Sequence, residues 1–263
     1  MSHLWGGAVL FDVLNRFQPK EILINDLNKE LMTTYRKVKD DCQSLVLQLD
    51  VMEKIYEELS DAQRTNYFYS ARKRFNEIKE KGDEFHLEIA ALFIFLNKTC
   101  FNGLYRVNSK GLFNAPYNRA KKPLICDEEN LWECSRLLQD TQIIDGDYSL
   151  VHQFINADTF VYIDPPYRKL SGKCSFTSYS AQGFTDSDQV ELARFVRSVV
   201  EQKGARVVVS NSDPHNVDKD DDFFDELYNG FLIDRIPVKR MINCNGQGRG
   251  AITELLIASP FVA

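Results

Sequence analysis

The tetrapeptide Asp164-Pro165-Pro166-Tyr167 carries the clearest chemical signal in the chain. It follows residues 159–163, an apolar run that predicts a buried strand, and proline cannot extend the hydrogen-bond ladder of a strand. We therefore expect Asp164 at the carboxyl end of a strand, in a turn that both prolines stiffen. The carboxylate, the carbonyl of Pro165 and the ring of Tyr167 then offer two hydrogen-bond acceptors beside a flat aromatic surface. That combination suits an exocyclic amino group on a planar base, although the four residues alone also fit an ordinary strand-to-loop turn.

Two glycines near the start of the sequence, Gly6 and Gly7, precede a helical pattern at residues 9–17. A strand pattern follows at residues 21–24 and ends at Asp26. A glycine turn at a helix start, followed about 20 residues later by an acid at a strand end, is typical of nucleotide sites in which the acid binds the ribose hydroxyls. The glycine pair alone is weak support, because glycine also serves simple turns.

Two further strand patterns, at residues 142–144 and 206–209, are also followed by polar residues. Asp147 lies after the first pattern and Asn211 after the second. If the strands are parallel, as the helical patterns between them suggest, their carboxyl ends meet at one edge of an open sheet, where ligands bind in α/β folds. The side chains expected at this edge are Asp26, Asp147, Asp164 and Asn211.

A basic segment without a single acid spans residues 97–122. Basic charge fits contacts to phosphates, while amides and aromatic rings can read or stack on bases. The net charge of −6 argues against a general polyanion binder, so the local cluster is the informative feature. We predict a hairpin or irregular loop projecting from the helices, with Gly111 and Asn118 at positive φ; a solvated loop without function is the other interpretation. The segment contains the basic residues Lys98, Arg106, Lys110, Arg119, Lys121 and Lys122, the amides Asn102, Asn108 and Asn114, and the aromatic residues Phe101, Tyr105, Phe113 and Tyr117.

The order of these patterns predicts an α/β protein with an open sheet and a helical insertion. Apolar residues recur at helical spacing over residues 28–97 and culminate in the apolar run 85–96, which we expect in the core. Strand patterns return after residue 138, and residues 231–238 and 251–258 are expected to complete the sheet as a hairpin.

The six cysteines show no Cys-x-x-Cys spacing, which favours reduced thiols in a cytoplasm over a disulfide framework or a zinc site. No apolar run approaches the roughly 20 residues of a membrane span, and no signal-peptide pattern opens the sequence. We therefore expect a cytoplasmic monomer that binds neither a membrane nor a metal.

In combination, these motifs resemble the Dam-type (D12) adenine-N6 DNA methyltransferases over nearly the whole sequence. The resemblance implies a Rossmann-like domain that uses S-adenosylmethionine as methyl donor. It also implies a helical domain, inserted between the cofactor and catalytic motifs, that recognises double-stranded DNA. We accordingly expect the catalytic domain at residues 1–50 and 136–263 and the recognition domain at residues 51–135. The matching motifs are residues 25–28, 96–108, 111–117, 164–167, 176–179, 210–213 and 240–245.

The resemblance also implies roles for individual residues. Asp164 and the carbonyl of Pro165 would accept the two N6 hydrogens of a flipped-out adenine, Tyr167 would stack on the base, and Pro166 belongs to the same catalytic unit. Asp26 would hold the cofactor ribose. The expected cofactor-binding residues are Gly6 and Gly7 beside the methionine part, Asp26, Asp147 beside the adenine, and Asp164. The expected DNA-binding residues are Lys98, Asn102, Arg106, Asn108, Lys110, Asn114, Arg119, Lys121 and Lys122, with Arg106 and Arg119 the leading candidates.

The sequence departs from the family pattern in two places. Family members normally begin with a segment carrying an aromatic residue and a lysine, then a strand and a Phe-x-Gly-x-Gly turn. This sequence starts inside that turn, with Trp5 where the first glycine is expected, so we expect an N-terminally truncated member that binds S-adenosylmethionine weakly. Asn118 replaces a frequent glycine, and asparagine tolerates the same left-handed conformation.

Two other interpretations stay open. A methyltransferase acting on ribosomal RNA or glutamine would share the proline-aromatic pocket, but such proteins usually carry asparagine in place of Asp164 and lack the inserted segment. A catalytically impaired, DNA-binding remnant of a DNA methyltransferase is the other. Measurable methyl transfer would separate it from the enzyme.

Overall fold

The computed structural model describes residues 7–82, 86–170, 184–239 and 251–260. The chain divides into two compact units, Met1–Leu150 and Val151–Ala263. Both units combine helices with a sheet, as the α/β prediction requires.

The first unit is mainly helical. Its strands β1 and β2 pair in parallel, with Ile24 opposite Ile143 and Asp26 opposite Asp145. The predicted helix at 9–17 and the helical region at 28–97 are confirmed. Its described elements are α1 (Ala8–Arg16), β1 (Ile22–Asp26), α2 (Lys29–Asp40), α3 (Cys42–Glu58), α4 (Asp61–Lys81), α5 (Leu87–Thr99), a 3-10 turn (Phe101–Gly103), α6 (Glu128–Leu138) and β2 (Thr141–Asp145).

Helix α5 forms the centre of the first core. All of its residues from Ile89 to Asn97 are buried, and a helix that is apolar on every side is stable only inside a protein. Residues of α2, α3, α4 and α6 belong to the same hydrophobic cluster. The predicted domain limits at residues 50 and 135 fall inside α3 and α6, so residues 51–135 share one core with the elements around them.

The second unit is a four-stranded sheet with helices. Its strand order is β3-β4-β6-β5; β3 and β4 are parallel, while β6 is antiparallel to both of its neighbours. Strand β3 lies where the sequence predicts it, and β5 and β6 pair as expected for the hairpin. The elements are β3 (Phe160–Ile163), α7 (Asp186–Lys203), β4 (Arg206–Ser212), a 3-10 turn (Pro214–Asn216), α8 (Phe223–Leu227), β5 (Leu232–Lys239) and β6 (Ala251–Ala258), and a 3-10 helix at Tyr148–Phe154 precedes them.

Strand β4 is longer than predicted. It continues through Ser210 and Asn211 to Ser212, all of them buried, so Asn211 lies inside the strand near its end and not in the loop after it. The cause is the pairing of these residues with β6, which places Asn211 opposite Leu255. Among the described residues, no helix is both long enough and apolar enough to cross a membrane.

Candidate active site and nucleic-acid interface

Strand β3 delivers Asp164 to the surface of the second unit. The strand ends at Ile163, so the acid follows it directly, and its side chain is exposed while Pro165 is buried. The hydroxyl of Ser210 donates a hydrogen bond to Oδ1 of Asp164 over 2.8 Å. No described residue donates to Oδ2 of Asp164 or to the carbonyl of Pro165, which leaves two adjacent acceptors available to a ligand.

The ring of Tyr167 lies half-buried after the two prolines. Its hydroxyl donates a long hydrogen bond of 3.4 Å to Oε2 of Glu254 on β6. Burial raises the pKa of Tyr167, a hydrogen bond with Ser210 lowers it by less, and the nearby carboxylates of Asp164 and Glu254 raise it further. The phenol therefore stays neutral at physiological pH, as a stacking surface for a base requires.

Arg168 anchors the residue that follows Tyr167. Its guanidinium bonds the carboxylates of Asp186, at 2.9 and 3.0 Å, and Asp221, at 2.7 Å. It also lies over the ring of Phe223, 4.1 Å from the centroid. Arg168 was not among the site residues predicted from the sequence, although its place directly after Tyr167 was a usable signal. Residues 171–183, including the motif at 176–179, lie outside the described residues, as does the motif at 240–245.

Asp26 ends strand β1 of the first unit. Its Oδ1 accepts a hydrogen bond from the backbone of Asn28 over 2.7 Å, and its carbonyl accepts one from Gly146 over 3.0 Å. The side chain of Asn28 caps helix α2 by accepting from Leu31 at 3.0 Å. The strand pairing and the cap fix Asp26 at the carboxyl end of a parallel pair, as predicted.

Two buried amide atoms flank Asp26 without a hydrogen-bond partner among the described residues: Oδ1 of Asn25 and Nδ2 of Asn28. A buried polar atom without a partner costs about 1–3 kcal/mol, and native proteins rarely leave one uncompensated. Both atoms belong to residues within two positions of Asp26 in sequence, and an unpartnered acceptor and donor at this strand end fit a polar ligand such as a ribose.

Gly7 and Asp147 have local contacts of their own. A Cβ atom on Gly7 would collide with the hydroxyl of Tyr35 and lie 2.9 Å from the ring of Phe11, so packing inside the protein already requires a glycine here. Asp147 is exposed, and its Oδ1 accepts from the backbone of Ser149 over 2.9 Å. Trp5 and Gly6 lie outside the described residues.

Strand β2 ends in an acid, Asp145, to which the sequence assigned no role. Asp145 is the register partner of Asp26 and accepts a hydrogen bond from Nη2 of Arg36, whose Nη2 also reaches the carbonyl of Ile143 at 3.2 Å. Asp145 and Asp147 both lie near the end of the predicted strand, so the sequence alone does not distinguish them. The pairing register does, because it places Asp145 in the strand opposite Asp26 and Asp147 after the strand.

The basic segment folds as an irregular hairpin. Antiparallel bridges join Cys100 to Tyr117 and Val107 to Phe113. Inside it, the guanidinium of Arg106 bonds the side chain of Asn114 at 2.8 Å and its carbonyl at 3.0 Å.

The side chain of Asn108 closes the hairpin tip by accepting from the backbones of Lys110 and Leu112. Gly111 adopts the predicted positive φ, at 76°. Arg106, Asn108 and Asn114 therefore already hold the hairpin in shape.

Two expectations for individual side chains of this hairpin are wrong. Tyr105 and Phe113 are buried at 6% and 2% exposure and pack on each other with a centroid distance of 5.6 Å, so they form core and offer no surface to a base. Asn118 does not take the left-handed conformation; Arg119 does, at φ 58°, while the Asn118 side chain accepts from the backbone of Ala120 at 2.7 Å.

The hairpin is fastened to helix α4. Asn76 both donates to the carbonyl of Phe113 (3.0 Å) and accepts from its backbone amide (2.9 Å), and Arg72 donates to the carbonyl of Ala115 (3.2 Å). It lies flat against the helices instead of projecting from them. Its exposed side chains include Asn102, Lys110, Arg119, Lys121 and Lys122, whereas Lys98 is half-buried.

Comparisons with known proteins identify the family of the chain. A sequence model of the D12 class N6 adenine-specific DNA methyltransferases matches residues 6–242. The Type II methyltransferase M.MjaIII of Methanocaldococcus jannaschii is 46% identical over 96% of this chain and 84% of its own length.

Two further relatives share less identity. The Type II methyltransferase M1.LlaDCHI of Lactococcus lactis subsp. cremoris is 35% identical over 97% of this chain and 83% of its own. A DNA adenine methylase of Vibrio cholerae is 31% identical over 89% of this chain and 78% of its own. The chain therefore belongs to the family of D12 class N6 adenine-specific DNA methyltransferases.

Proposed function

We propose that this chain transfers a methyl group from S-adenosylmethionine to N6 of an adenine flipped out of double-stranded DNA, and that Asp164, Pro165, Pro166 and Tyr167 form the pocket for that base. One observation carries the proposal: two neighbouring acceptors, Oδ2 of Asp164 and the carbonyl of Pro165, have no donor among the described residues and lie beside the ring of Tyr167 in sequence. An exocyclic amino group has two hydrogens to give to such a pair.

The pocket residues act on the nucleophile. A base inside a duplex cannot be reached, so it must leave the stack at a cost of a few kcal/mol, which stacking on Tyr167 offsets in part. When Asp164 and Pro165 accept the N6 hydrogens, the nitrogen lone pair is drawn out of conjugation with the ring. When bound, S-adenosylmethionine would supply a methyl group activated by its sulfonium charge, and Asp164 and the carbonyl of Pro165 would hold N6 with its lone pair free to accept that group. The protein's main task is alignment.

The β1 end of the first unit supports the cofactor assignment. The unpartnered amide atoms of Asn25 and Asn28 beside Asp26 suit a ribose, so we assign the cofactor ribose to Asp26. Gly6, Gly7, Asp147 and Asp164 remain in the proposed cofactor set on the strength of the family motif. Within the proposal, the fold is the Rossmann-like one of the family.

The exposed cations of the hairpin support the DNA assignment. Lys110, Arg119, Lys121 and Lys122 form no ion pair within the described part of the chain, so their charge is available to phosphates. Residues 51–135 are proposed as the recognition region of the enzyme. The proposed DNA contacts are Lys98, Asn102, Arg106, Asn108, Lys110, Asn114, Arg119, Lys121 and Lys122.

The proposal is tested with purified protein, S-adenosylmethionine carrying a labelled methyl group, and genomic DNA free of N6-methyladenine. Mass spectrometry of the digested DNA should show labelled N6-methyladenine, and sequencing should place it in one context. Single-stranded RNA and a glutamine-containing peptide serve as parallel substrates. Label in either of these and none in DNA would overturn the proposal, and label in no substrate would leave the DNA-binding remnant as the better account.

A further inference from the structure

Tyr167 is held from both sides of its backbone by one buried pair of amide side chains. Nε2 of Gln189 donates to the carbonyl of Pro166 at 3.0 Å. Oδ1 of Asn211 accepts from the backbone amide of Arg168 at 3.0 Å. The two amides are joined to each other, because Nδ2 of Asn211 donates to Oε1 of Gln189 at 3.1 Å.

Gln189 and Asn211 thus form a continuous chain of hydrogen bonds, here called the relay, from the residue before Tyr167 to the residue after it. Gln189 is 1% exposed and Asn211 0%, so neither amide has water as an alternative partner. A buried amide without its partner costs about 1–3 kcal/mol, and a change at either residue therefore disturbs the other.

Both members of the relay sit on rigid elements. Gln189 lies in the first turns of α7, which Thr185 and Asp188 fix with a capping box. Asn211 lies in β4, where it pairs with β6. Bonds at these two points to a capped helix and a central strand leave the backbone at Tyr167 little freedom to move, which fixes the point from which the ring projects.

We infer that Gln189 and Asn211 are positioning residues that hold Tyr167 at the orientation needed to receive the flipped base. The inference rests on the function proposed above for Asp164 and Tyr167. Neither amide touches the reacting atoms, so their effect is on geometry, and a misplacement of about 1 Å can cost ~10²-fold in rate.

The test compares two relay variants with the wild-type protein and with Ser198→Ala. Gln189→Met keeps the length of the side chain and removes both of its hydrogen bonds. Asn211→Asp keeps an acceptor for the amide of Arg168 and removes the donor to Gln189. Ser198, the control, lies on the same helix α7, and among the described residues its side chain bonds only the carbonyl of Phe195 in that helix.

Two measurements report on the geometry of the pocket. The single-turnover rate, with KM values for DNA and S-adenosylmethionine, is measured on a duplex containing the methylated context found by sequencing. The fluorescence of the same duplex with 2-aminopurine at the target position reports how the flipped base is held.

In the relay variants we expect a rate loss of about 10- to 100-fold, KM values within about twofold, and a changed 2-aminopurine signal. Ser198→Ala should match the wild-type protein. Wild-type rates and signals in a folded relay variant would overturn the inference while leaving the proposed function intact. If both variants fail to fold, the relay serves folding and the inference is rejected. A wild-type protein that methylates no DNA would instead refute the proposed function.

Discussion

Ser210 donates a hydrogen bond from its Oγ to Oδ1 of Asp164 over 2.8 Å, at the carboxyl ends of the parallel strands β4 and β3. The bond uses one carboxylate oxygen and leaves the other for a ligand. The bond fixes the orientation of the carboxylate, so the other oxygen accepts hydrogen bonds along a defined direction. Charge-assisted bonds of this kind are stronger than neutral ones, so the strand pairing itself sets the orientation of the proposed catalytic acid.

Replacing Asp164 by alanine removes an acceptor for the N6 hydrogens. We expect kcat of Asp164→Ala to fall by at least about 10²-fold, the usual cost of losing one preorganised polar group at a reacting centre. DNA affinity should stay within about twofold, because the phosphate contacts are elsewhere. Asp158→Ala, an exposed acid in the turn before β3, is the control for kcat and for Kd by fluorescence anisotropy. Near-normal turnover in Asp164→Ala would refute the pocket assignment.

Replacing Ser210 by alanine should have a smaller effect in the same direction. The side chain of Asp164 loses its orienting donor, so we expect kcat to fall about tenfold, equivalent to ~1.4 kcal/mol. Ser210→Thr retains a hydroxyl on the same carbon and should recover most of the rate. An alanine variant as fast as the threonine variant would show that the bond has no part in catalysis.

The positions of the proposed chemistry could be predicted from the sequence because strand ends are locally encoded. An apolar run followed by Asp164 and two prolines marks the end of β3, and Asp26 marks the end of β1 in the same way. These features depend on neighbours in sequence alone. The relay through Gln189 could not be predicted, because a pairing between a helix and a loop 23 residues away leaves no local pattern.

The hairpin was only partly predictable from the sequence, and one pattern in it was not used. Tyr105, Val107, Phe113 and Ala115 are all buried, and they recur at the two-residue spacing of a strand with one buried face. That alternation was visible in the sequence and argues against exposed stacking rings. The helices on which this face packs, here α4 through Phe75 and α5 through Phe93, depend on tertiary contacts.

The exposed lysines of the hairpin lead to a prediction about salt dependence. Lys110→Gln should weaken binding to all DNA sequences and lower the slope of log K against log salt concentration by about 1, as expected for one lost phosphate contact. Lys54→Gln is the matched control, since Lys54 is equally a surface lysine but pairs with Asp50 on α3. The slope is measured by anisotropy titrations at several salt concentrations. An unchanged slope in Lys110→Gln, repeated for Lys121 and Lys122, would favour the solvated-loop interpretation.

Arg106→Gln should behave differently from these lysine variants. Its guanidinium is already bonded to Asn114 inside the hairpin, so its loss should loosen the hairpin. We therefore expect Arg106→Gln to lower DNA affinity more than Lys110→Gln does, without a larger change in the salt slope. The same titrations measure both quantities.

A buried ion pair joins helix α4 to helix α2. Lys79 Nζ lies 2.7 Å from Oε1 of Glu30, whose side chain is 4% exposed, and Lys79 also donates to the hydroxyl of Tyr105 at 3.1 Å. Removing one partner of a buried pair leaves an uncompensated charge, so Lys79→Met should lower the free energy of unfolding by about 3–5 kcal/mol. Lys73→Met on the same helix should cost at most about 1 kcal/mol, because its partner Glu77 is 3.7 Å away and the lysine side chain is 80% exposed.

Urea denaturation followed by circular dichroism measures both effects. The double variant Glu30→Gln, Lys79→Met no longer buries a charge, and replacing a buried pair by neutral groups is often close to neutral in energy. We therefore expect it to regain most of the stability that Lys79→Met loses. Equal losses for Lys79→Met and Lys73→Met would contradict the buried pair. A double variant no more stable than Lys79→Met would show instead that Lys79 acts through its packing against Tyr105, whose ring centroid lies 5.9 Å from Nζ, and not through its charge.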